Sequence, residues 1–254
     1  MKKLMAANWK MYKTASEAAK TAAELHALVG DPGPDCEILV FPPFTAIPAV
    51  AGAFRGVAGF AVGGQDFYPA EEGAFTGEIA PGMLTDLGVA YGLTGHSERR
   101  HVLGESDEFV GRKTAFGLAA GLRIVLCVGE KIEERRAGQV EAVLLRQLEA
   151  GLKDVPRDVA PERLSVAYEP VWAIGTGEVA GPEDIVAAHA FLRKTLRGIF
   201  GDNANEMRLL YGGSVKPANA AAIVTLDNVD GVLVGGASLD AVSFHSIAKA
   251  GSAC

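Results

Sequence analysis

Eight short apolar segments recur along the chain, and their spacing constrains the fold more than any other feature of the sequence. The seven intervals between them average roughly 33 residues, the size of a strand followed by a helix. The segments are almost continuously apolar rather than alternating, which is typical of parallel strands covered on both faces. They are Leu4–Ala7, Ile38–Phe41, Phe60–Gly63, Ala90–Thr94, Ile124–Val128, Leu164–Tyr168, Leu209–Tyr211 and Val232–Val234.

Apolar residues at helical spacing occupy several of the intervals between these segments. Ser106 is placed to cap a helix that runs toward Gly121, and Gly181-Pro182 is typical of a helix start. Each apolar face would pack a helix against the strands. The faces consist of Ala18, Ala22, Leu25 and Val29, of Val140, Leu144, Leu148 and Leu152, and of Ile185, Leu192, Leu196 and Ile199.

The order of these segments favours one closed barrel. No Ser/Gly linker or shift in composition divides the 254 residues, and barrels of alternating strands and helices commonly fill such a length as one unit. We therefore expect an α/β fold in which residues 1–254 form a single domain, a parallel eight-stranded (β/α)8 barrel ringed by helices. Active-site residues should then lie at the C-terminal ends of the strands.

Composition limits the partners of such a barrel. The 24 basic and 31 acidic side chains give a net charge of −7, which disfavours nucleic acids and anionic membranes but not a small anion held locally. The three cysteines, Cys36, Cys127 and Cys254, form no disulfide framework, so a reducing interior is expected. Asn8 and Lys10 interrupt the first apolar stretch too early for a signal peptide, and we expect a cytoplasmic protein.

Three ionisable residues follow predicted strands. Lys10 could supply a positive charge at the barrel mouth, remain a solvated loop lysine or, if desolvated, form a Schiff base. His96 precedes a predicted short helix, whose N-terminus would keep the ring neutral and able to donate a hydrogen bond. Glu169 precedes the apolar residues 170–174; desolvation there would make it a general base, whereas an arginine at the rim would make it an ion pair.

Glycine pairs follow the seventh and eighth segments, in Tyr211–Ser214 and Gly235–Ser238. Backbone N–H groups of such loops can approach an anion closely, and these two positions commonly hold phosphate in barrels. The segment Gly175–Ala180 also matches a relaxed dinucleotide motif, but it begins several residues after the strand and lacks the acidic partner. The sequence contains no Walker-type Gly-Lys-Ser/Thr motif, so a small phosphorylated metabolite is favoured over a nucleotide. Metal-ligand spacing is also absent from the sequence, and neither a metal nor a cofactor is expected.

Together these motifs closely resemble those of the triosephosphate isomerase family. They occur in the family's order and cover essentially the whole chain. The matching segments are Ala7–Met11, Gly64–Asp66, Gly73–Glu78, Gly95–Arg100, Cys127–Glu130, Tyr168–Gly177, Tyr211–Val215 and Gly231–Leu239.

The resemblance implies a reversible isomerisation of dihydroxyacetone phosphate and D-glyceraldehyde 3-phosphate, a step of glycolysis and gluconeogenesis. By match, Glu169 would move a proton between two carbons through an enediol(ate), and neutral His96 would polarise the carbonyl. Lys10 would stabilise developing negative charge and bind the substrate, with Asn8 assisting.

The resemblance also implies a phosphate site and a set of supporting residues. The phosphate would lie on backbone groups of Gly175, Ser214, Gly235 and Gly236, and residues 170–180 would close over the site as a lid. The implied supporting residues are Ser97, Glu98, Tyr211 and Gly213.

The segment Gln65–Glu78 resembles the family's dimer loop, in which Thr76 would reach the neighbouring active site, so a homodimer is implied. A loop of this length inside a compact domain needs a use, and contact with a second subunit supplies one. The sequence departs from the family in the lid ending Glu178-Val179-Ala180, in Asp66 where Asn is common and in Tyr12 where Asn is frequent. These positions lie outside the catalytic residues that the resemblance implies.

Two other classes of function remain open from the residues alone. A class I aldolase would use Lys10 as a Schiff base, and trapping with borohydride would detect it. A catalytically silent phosphate-binding barrel could lose Lys10, His96 or Glu169 without losing its fold, so the joint presence of all three argues against it.

Overall fold

Eight parallel strands form a closed barrel in the computed structural model of the chain, which describes residues 1–174 and 180–252. Each strand pairs with the next along the chain, and β8 pairs with β1, which confirms the predicted fold class. The strands are β1 (Lys3–Asn8), β2 (Cys36–Phe41), β3 (Phe60–Gly64), β4 (Tyr91–Thr94), β5 (Arg123–Val128), β6 (Leu164–Tyr168), β7 (Arg208–Tyr211) and β8 (Gly231–Val234).

Helices follow the strands, and the predicted starts are confirmed at two of them. The Ser106 hydroxyl accepts the backbone N–H of Phe109 at 3.2 Å, and Pro182 is the first residue of its helix after Gly181. The helices are α1 (Ala15–Val29), α2 (Ile47–Phe54), α3 (Pro81–Asp86), α4 (Ser97–His101), α5 (Asp107–Ala119), α6 (Ile132–Arg136), α7 (Val140–Leu152), α8 (Pro182–Phe200), α9 (Pro217–Val224) and α10 (Ala241–Ser252).

Apolar side chains are buried on both faces of the strands, which explains their near-continuous hydrophobicity. One set packs between the barrel and the helices, including the predicted faces of α1, α7 and α8. The other set fills the barrel interior and consists of Leu4, Ala6, Leu39, Phe41, Tyr91, Leu93, Val125, Cys127, Ala167, Leu210 and Leu233. The barrel is therefore filled by side chains, and a ligand has room only at its ends.

A polar network occupies the N-terminal end of the barrel. The Tyr91 hydroxyl donates to Glu37 Oε2 at 2.9 Å, and Arg208 Nη1 lies 2.7 Å from the same oxygen. Arg123 Nη1 approaches Glu37 Oε1 at 3.2 Å. Burial raises the pKa of Tyr91, which keeps its hydroxyl protonated as a donor. We call Glu37, Tyr91, Arg123 and Arg208 the base network.

No helix within residues 1–174 and 180–252 is long and apolar enough to cross a membrane. That residues 1–254 form one domain stays a prediction.

Candidate active site

A cavity of about 230 Å³ opens at the C-terminal ends of the strands, where the fold predicts chemistry. Asn8 from the end of β1, Lys10 just after it, His96 after β4 and Glu169 after β6 all line this cavity. Residues separated by up to 161 positions in the sequence are thus brought to one site.

Glu169 and His96 form a buried pair in the cavity wall. His96 Nε2 lies 3.1 Å from Glu169 Oε1, and the backbone N–H of Ser97 donates to Glu169 Oε2 at 2.9 Å. Glu169 is only 2% exposed. The carboxylate thus contacts an imidazole and a backbone N–H, whereas the alternative of an ion pair with an arginine at the rim finds no support among the described contacts of Glu169.

The start of α4 determines which nitrogen of His96 faces the cavity as a donor. His96 caps this helix, and its Nδ1 accepts the backbone N–H of Glu98 at 3.3 Å. A nitrogen that accepts a hydrogen bond carries no proton, so the proton of the neutral ring lies on Nε2. Asn8 Nδ2, which is itself a donor, also lies 3.1 Å from Nε2, so the acceptor for the Nε2 proton is the carboxylate of Glu169.

Lys10 reaches the same cavity from a backbone conformation that is rare for a side-chain-bearing residue. Its φ is 51°, and its N–H donates to Asn8 Oδ1 at 3.0 Å. The ammonium lies 2.6 Å from Glu98 Oε1, and its side chain is 22% exposed. The pair with Glu98 holds the positive charge at the edge of the cavity rather than free in solvent.

The glycine loops after β7 and β8 form the opposite wall. Gly213, Ser214, Gly235 and Gly236 line the cavity, as the sequence predicts for a phosphate cradle. Tyr211 is buried beneath them, and burial raises its pKa to about 12. Gly175 and the rest of the middle of the predicted lid, residues 175–179, lie outside the described residues.

The predicted dimer-loop residues have different surroundings. Gln65 Nε2 donates to the carbonyl oxygens of Lys10 and Phe41, at 2.8 and 2.9 Å, so this side chain supports the loop that bears Lys10. Thr76 is exposed. Asp66, which stands where the family commonly has Asn, is buried and pairs with Lys113 at 2.6 Å and Arg99 at 2.7 Å.

Cys127 lies next to the site at the end of β5. Burial, and after it the charge of Glu169, raises the pKa of the Cys127 thiol well above its usual value. A thiol that stays protonated is a poor nucleophile, in agreement with the predicted packing role.

Sequence reasoning missed several residues that line the cavity. Lys216 follows the loop after β7, and its position two residues beyond Ser214 could have indicated a second cation at the phosphate cradle. The apolar residues carried no such signal, because nothing in their type distinguishes them from core. The missed residues are Val215, Lys216 and Leu233, whereas Ile174 lies in the predicted lid and Gly212 and Ala237 lie in the predicted phosphate loops.

Fold and cavity together define a (β/α)8-barrel enzyme with a buried carboxylate–imidazole pair at the C-terminal ends of its strands. Comparison with known proteins narrows this class. A family model described as triosephosphate isomerase matches residues 3–251, and the chain belongs to the triosephosphate isomerase family.

Curated relatives with the same description match along nearly their whole length. The chain is 64% identical to the triosephosphate isomerase of Nitratidesulfovibrio vulgaris (strain DSM 19637 / Miyazaki F), over 97% of this chain and 99% of that protein. It is also 64% identical to that of Oleidesulfovibrio alaskensis, with the same coverage. Identity to that of Chloroflexus aurantiacus is 49%, over 96% of this chain and 97% of that protein.

Proposed function

We propose that this protein interconverts dihydroxyacetone phosphate and D-glyceraldehyde 3-phosphate. The observation that carries the proposal is the pair of Glu169 Oε1 and His96 Nε2, 3.1 Å apart, in a cavity that Lys10 and the glycine loops also line. A base, a hydrogen-bond donor and a cation around one small cavity are what a proton shift next to a carbonyl requires. The family and the full-length relatives support the same reaction.

In the proposed mechanism, Glu169 removes a proton from the carbon beside the carbonyl, and the electron pair moves to the carbonyl oxygen to give an enediol(ate). His96 Nε2–H donates to that oxygen, because Nδ1 already accepts the N–H of Glu98. The hydroxyl proton on the carbon that lost its proton passes to the former carbonyl oxygen, so that a carbonyl forms at the first carbon. Return of the carbon-bound proton from Glu169 to the former carbonyl carbon completes the isomerisation. Substrate and product have the same overall oxidation state, so the step needs no electron acceptor.

The remaining cavity residues would hold the substrate. The Lys10 ammonium would offset negative charge that develops on the substrate oxygen, and Asn8 would fix the backbone of Lys10 through the 3.0 Å bond. Backbone N–H groups of Ser214, Gly235 and Gly236 would bind the phosphate, together with Gly175. Ser97, Glu98, Tyr211 and Gly213 would support these groups.

The decisive experiment is a coupled assay of triose phosphate interconversion with wild type and Glu169→Gln. Loss of the base should lower kcat by about 1,000-fold or more, whereas a phosphorylated substrate analogue should still bind. Glu149→Gln, an exposed glutamate on α7, is the matched control and should keep wild-type kinetics. Wild-type turnover by Glu169→Gln would reject the general base, and activity that required added metal would contradict the mechanism.

The aldolase alternative is less well supported. A Schiff-base lysine needs an amine that is free to attack the substrate carbonyl, but Lys10 Nζ lies 2.6 Å from Glu98 Oε1 and is held in that ion pair. Borohydride reduction in the presence of substrate should therefore leave the mass of the protein unchanged. A substrate adduct on Lys10 would instead support the aldolase function.

We also propose that the protein is a cytoplasmic homodimer. Large apolar side chains are exposed in the loops and helices that follow the first four strands, which are neighbours in the barrel. A cluster of this kind is typical of a subunit interface. Its members are Met11, Tyr12, Phe44, Phe75, Met83, Val102 and Leu103, and Thr76 lies among them in sequence.

Sedimentation velocity tests the homodimer. Wild type should sediment as a dimer, and Phe75→Glu should shift it toward monomer, because a charge would be buried in the interface. Val242→Glu places the same charge on an exposed valine of α10 and should leave the dimer intact. A wild-type monomer at micromolar concentration would contradict the proposal.

A further inference from the structure

A buried guanidinium lies directly behind the cavity wall that bears His96. Arg100 belongs to α4, and only 4% of its side chain is exposed. Its Nε donates to the carbonyl oxygen of Gly95 at 2.7 Å, and its Nη2 donates to that of Cys127 at 3.2 Å. Its remaining nitrogen, Nη1, pairs with Asp107. The charge is thus balanced, and the guanidinium binds the backbone in two places.

These two carbonyls lie where the ladder between β4 and β5 ends. The last backbone pair of that ladder is Thr94 with Leu126; Gly95 follows directly after β4, and Cys127 is the next residue of β5. Arg100 joins the two strand ends in place of further backbone bonds. The planar guanidinium bridges the two carbonyls with donors held in a fixed fork, a geometry that the flexible ammonium of a lysine does not impose.

Each carbonyl belongs to a residue next to the reacting groups. Gly95 immediately precedes His96, and the Cys127 side chain contacts Glu169. Gly95 has a φ of 68°, and a Cβ there would lie 2.5 Å from Arg100 Nη2 and 2.9 Å from the Cys127 carbonyl oxygen. The turn into His96 is therefore packed against the guanidinium without free space.

We infer that Arg100 is a positioning residue that fixes His96 Nε2 relative to Glu169 by joining the ends of β4 and β5. The inference rests on the proposed function for its effect on turnover, but the position of the imidazole does not depend on any substrate. Arg100 touches no substrate itself and acts through the backbone of Gly95 and Cys127.

The chain offers a matched control for a purely structural role. Arg193 on α8 is equally buried, donates to the carbonyl oxygens of Ala204 and Met207, and pairs with Asp230 at 2.6 Å. It does not line the cavity. Arg100→Lys and Arg193→Lys each remove a buried guanidinium that bonds two backbone carbonyls, through Nε and Nη2 in Arg100 and through Nη1 alone in Arg193. Only Arg100 adjoins His96.

Steady-state kinetics should separate the two variants. Arg100→Lys should lower kcat by about 10- to 100-fold and change KM by less than about threefold, because the phosphate cradle is untouched while the imidazole is displaced. Arg193→Lys should lower the melting temperature but keep kcat. Guanidinium ion at millimolar concentration should restore part of the activity of Arg100→Ala. Wild-type kcat in Arg100→Lys, or an equal loss in Arg193→Lys, would overturn the inference.

The ¹⁵N spectrum of labelled histidine gives a readout that needs no substrate. The ring signals of His96 are assigned by their loss in His96→Gln; they should shift in Arg100→Lys and stay unchanged in Arg193→Lys. Unshifted His96 signals in Arg100→Lys would overturn the positioning role. If the wild-type protein failed to interconvert triose phosphates, the proposed function would fall, and this spectrum would still decide the role of Arg100.

Discussion

The backbone of Gly129 lies so close to that of Glu169 that a Cβ on Gly129 would be 1.7 Å from the Glu169 carbonyl oxygen. The N–H of Glu169 donates to the carbonyl of Val128 at 2.8 Å, and the amide of Gln147 bonds to both the N–H and the carbonyl of Gly129. The backbone of the proposed base is therefore positioned from β5 and α7 as well as from its own strand.

Gly129→Ala should displace this backbone, because the obstructing atoms belong to the main chain and cannot rotate away. We expect a loss of about 2–3 kcal/mol in the free energy of unfolding and about a tenfold or greater fall in kcat. Gly198→Ala on α8, where a Cβ meets no atom within 4 Å, is the control and should be neutral or slightly stabilising. Urea unfolding and steady-state kinetics check both. Equal free energies of unfolding and equal kcat values for the two variants would contradict this prediction, because the backbone would then accommodate the added Cβ at no cost.

The backbone conformation of Lys10 should be strained for any residue that carries a Cβ. Lys10→Ala and Lys10→Gly both remove the ammonium and should lower kcat and raise KM. Only the glycine variant adopts the φ of 51° without strain. Its free energy of unfolding should therefore be about 1 kcal/mol greater than that of the alanine variant. Thermal or urea unfolding of the pair measures this difference. Equal stabilities would mean that the loop relaxes around alanine.

Lys216 should act on substrate capture rather than on chemistry. It lines the cavity beside the proposed phosphate loops and is exposed, so its charge should attract a phosphate dianion. Lys216→Gln should lower kcat/KM about two- to fivefold at low ionic strength, with little change in kcat and a smaller difference in high salt. Lys194→Gln, an exposed lysine on α8, is the control. A fall in kcat that did not depend on salt would contradict this role.

Acidification should destabilise the fold through His189. Burial lowers the pKa of this fully buried imidazole from 6.5 to about 4. Between these two values the unfolded chain binds a proton that the folded chain does not, so stability rises with pH, and up to about 3 kcal/mol is lost as the pH falls to about 4. Urea unfolding at about pH 7 and about pH 5 should show a smaller difference for His189→Gln than for wild type. An unchanged difference would exclude His189 as the source.

Hydropathy predicted the strands well but missed how several of them begin. The predicted Leu164–Tyr168 coincides with β6, whereas β5 and β7 begin one residue before their predicted segments, at Arg123 and Arg208. Because arginine is charged, a search for apolar segments leaves these two residues out. They nevertheless belong to the barrel strands, where each forms an ion pair with Glu37. Glu37 and Arg208 are 171 positions apart, so local sequence carries no sign of the partner.

The sequence predicts which residues belong to the site, because it shows which polar residues directly follow a strand. Lys10, His96 and Glu169 were found because polar residues at the C-terminal ends of barrel strands lie at the mouth of the barrel. Their mutual geometry could not be found in this way. The bond from the Glu98 N–H to His96 Nδ1 depends on where α4 begins, and the bridge made by Arg100 depends on the ends of two strands.

The base network also bears on how the barrel assembles. Its members come from β2, β4, β5 and β7, so a run of neighbouring strands that contains all of them spans at least six of the eight strands. Loop-closure entropy opposes contacts between such distant positions until most of the chain is ordered. We expect the network to form after the folding barrier and thus to slow unfolding rather than speed folding, which the unfolding rate of Glu37→Gln measures. Glu37 then governs the lifetime of the native state.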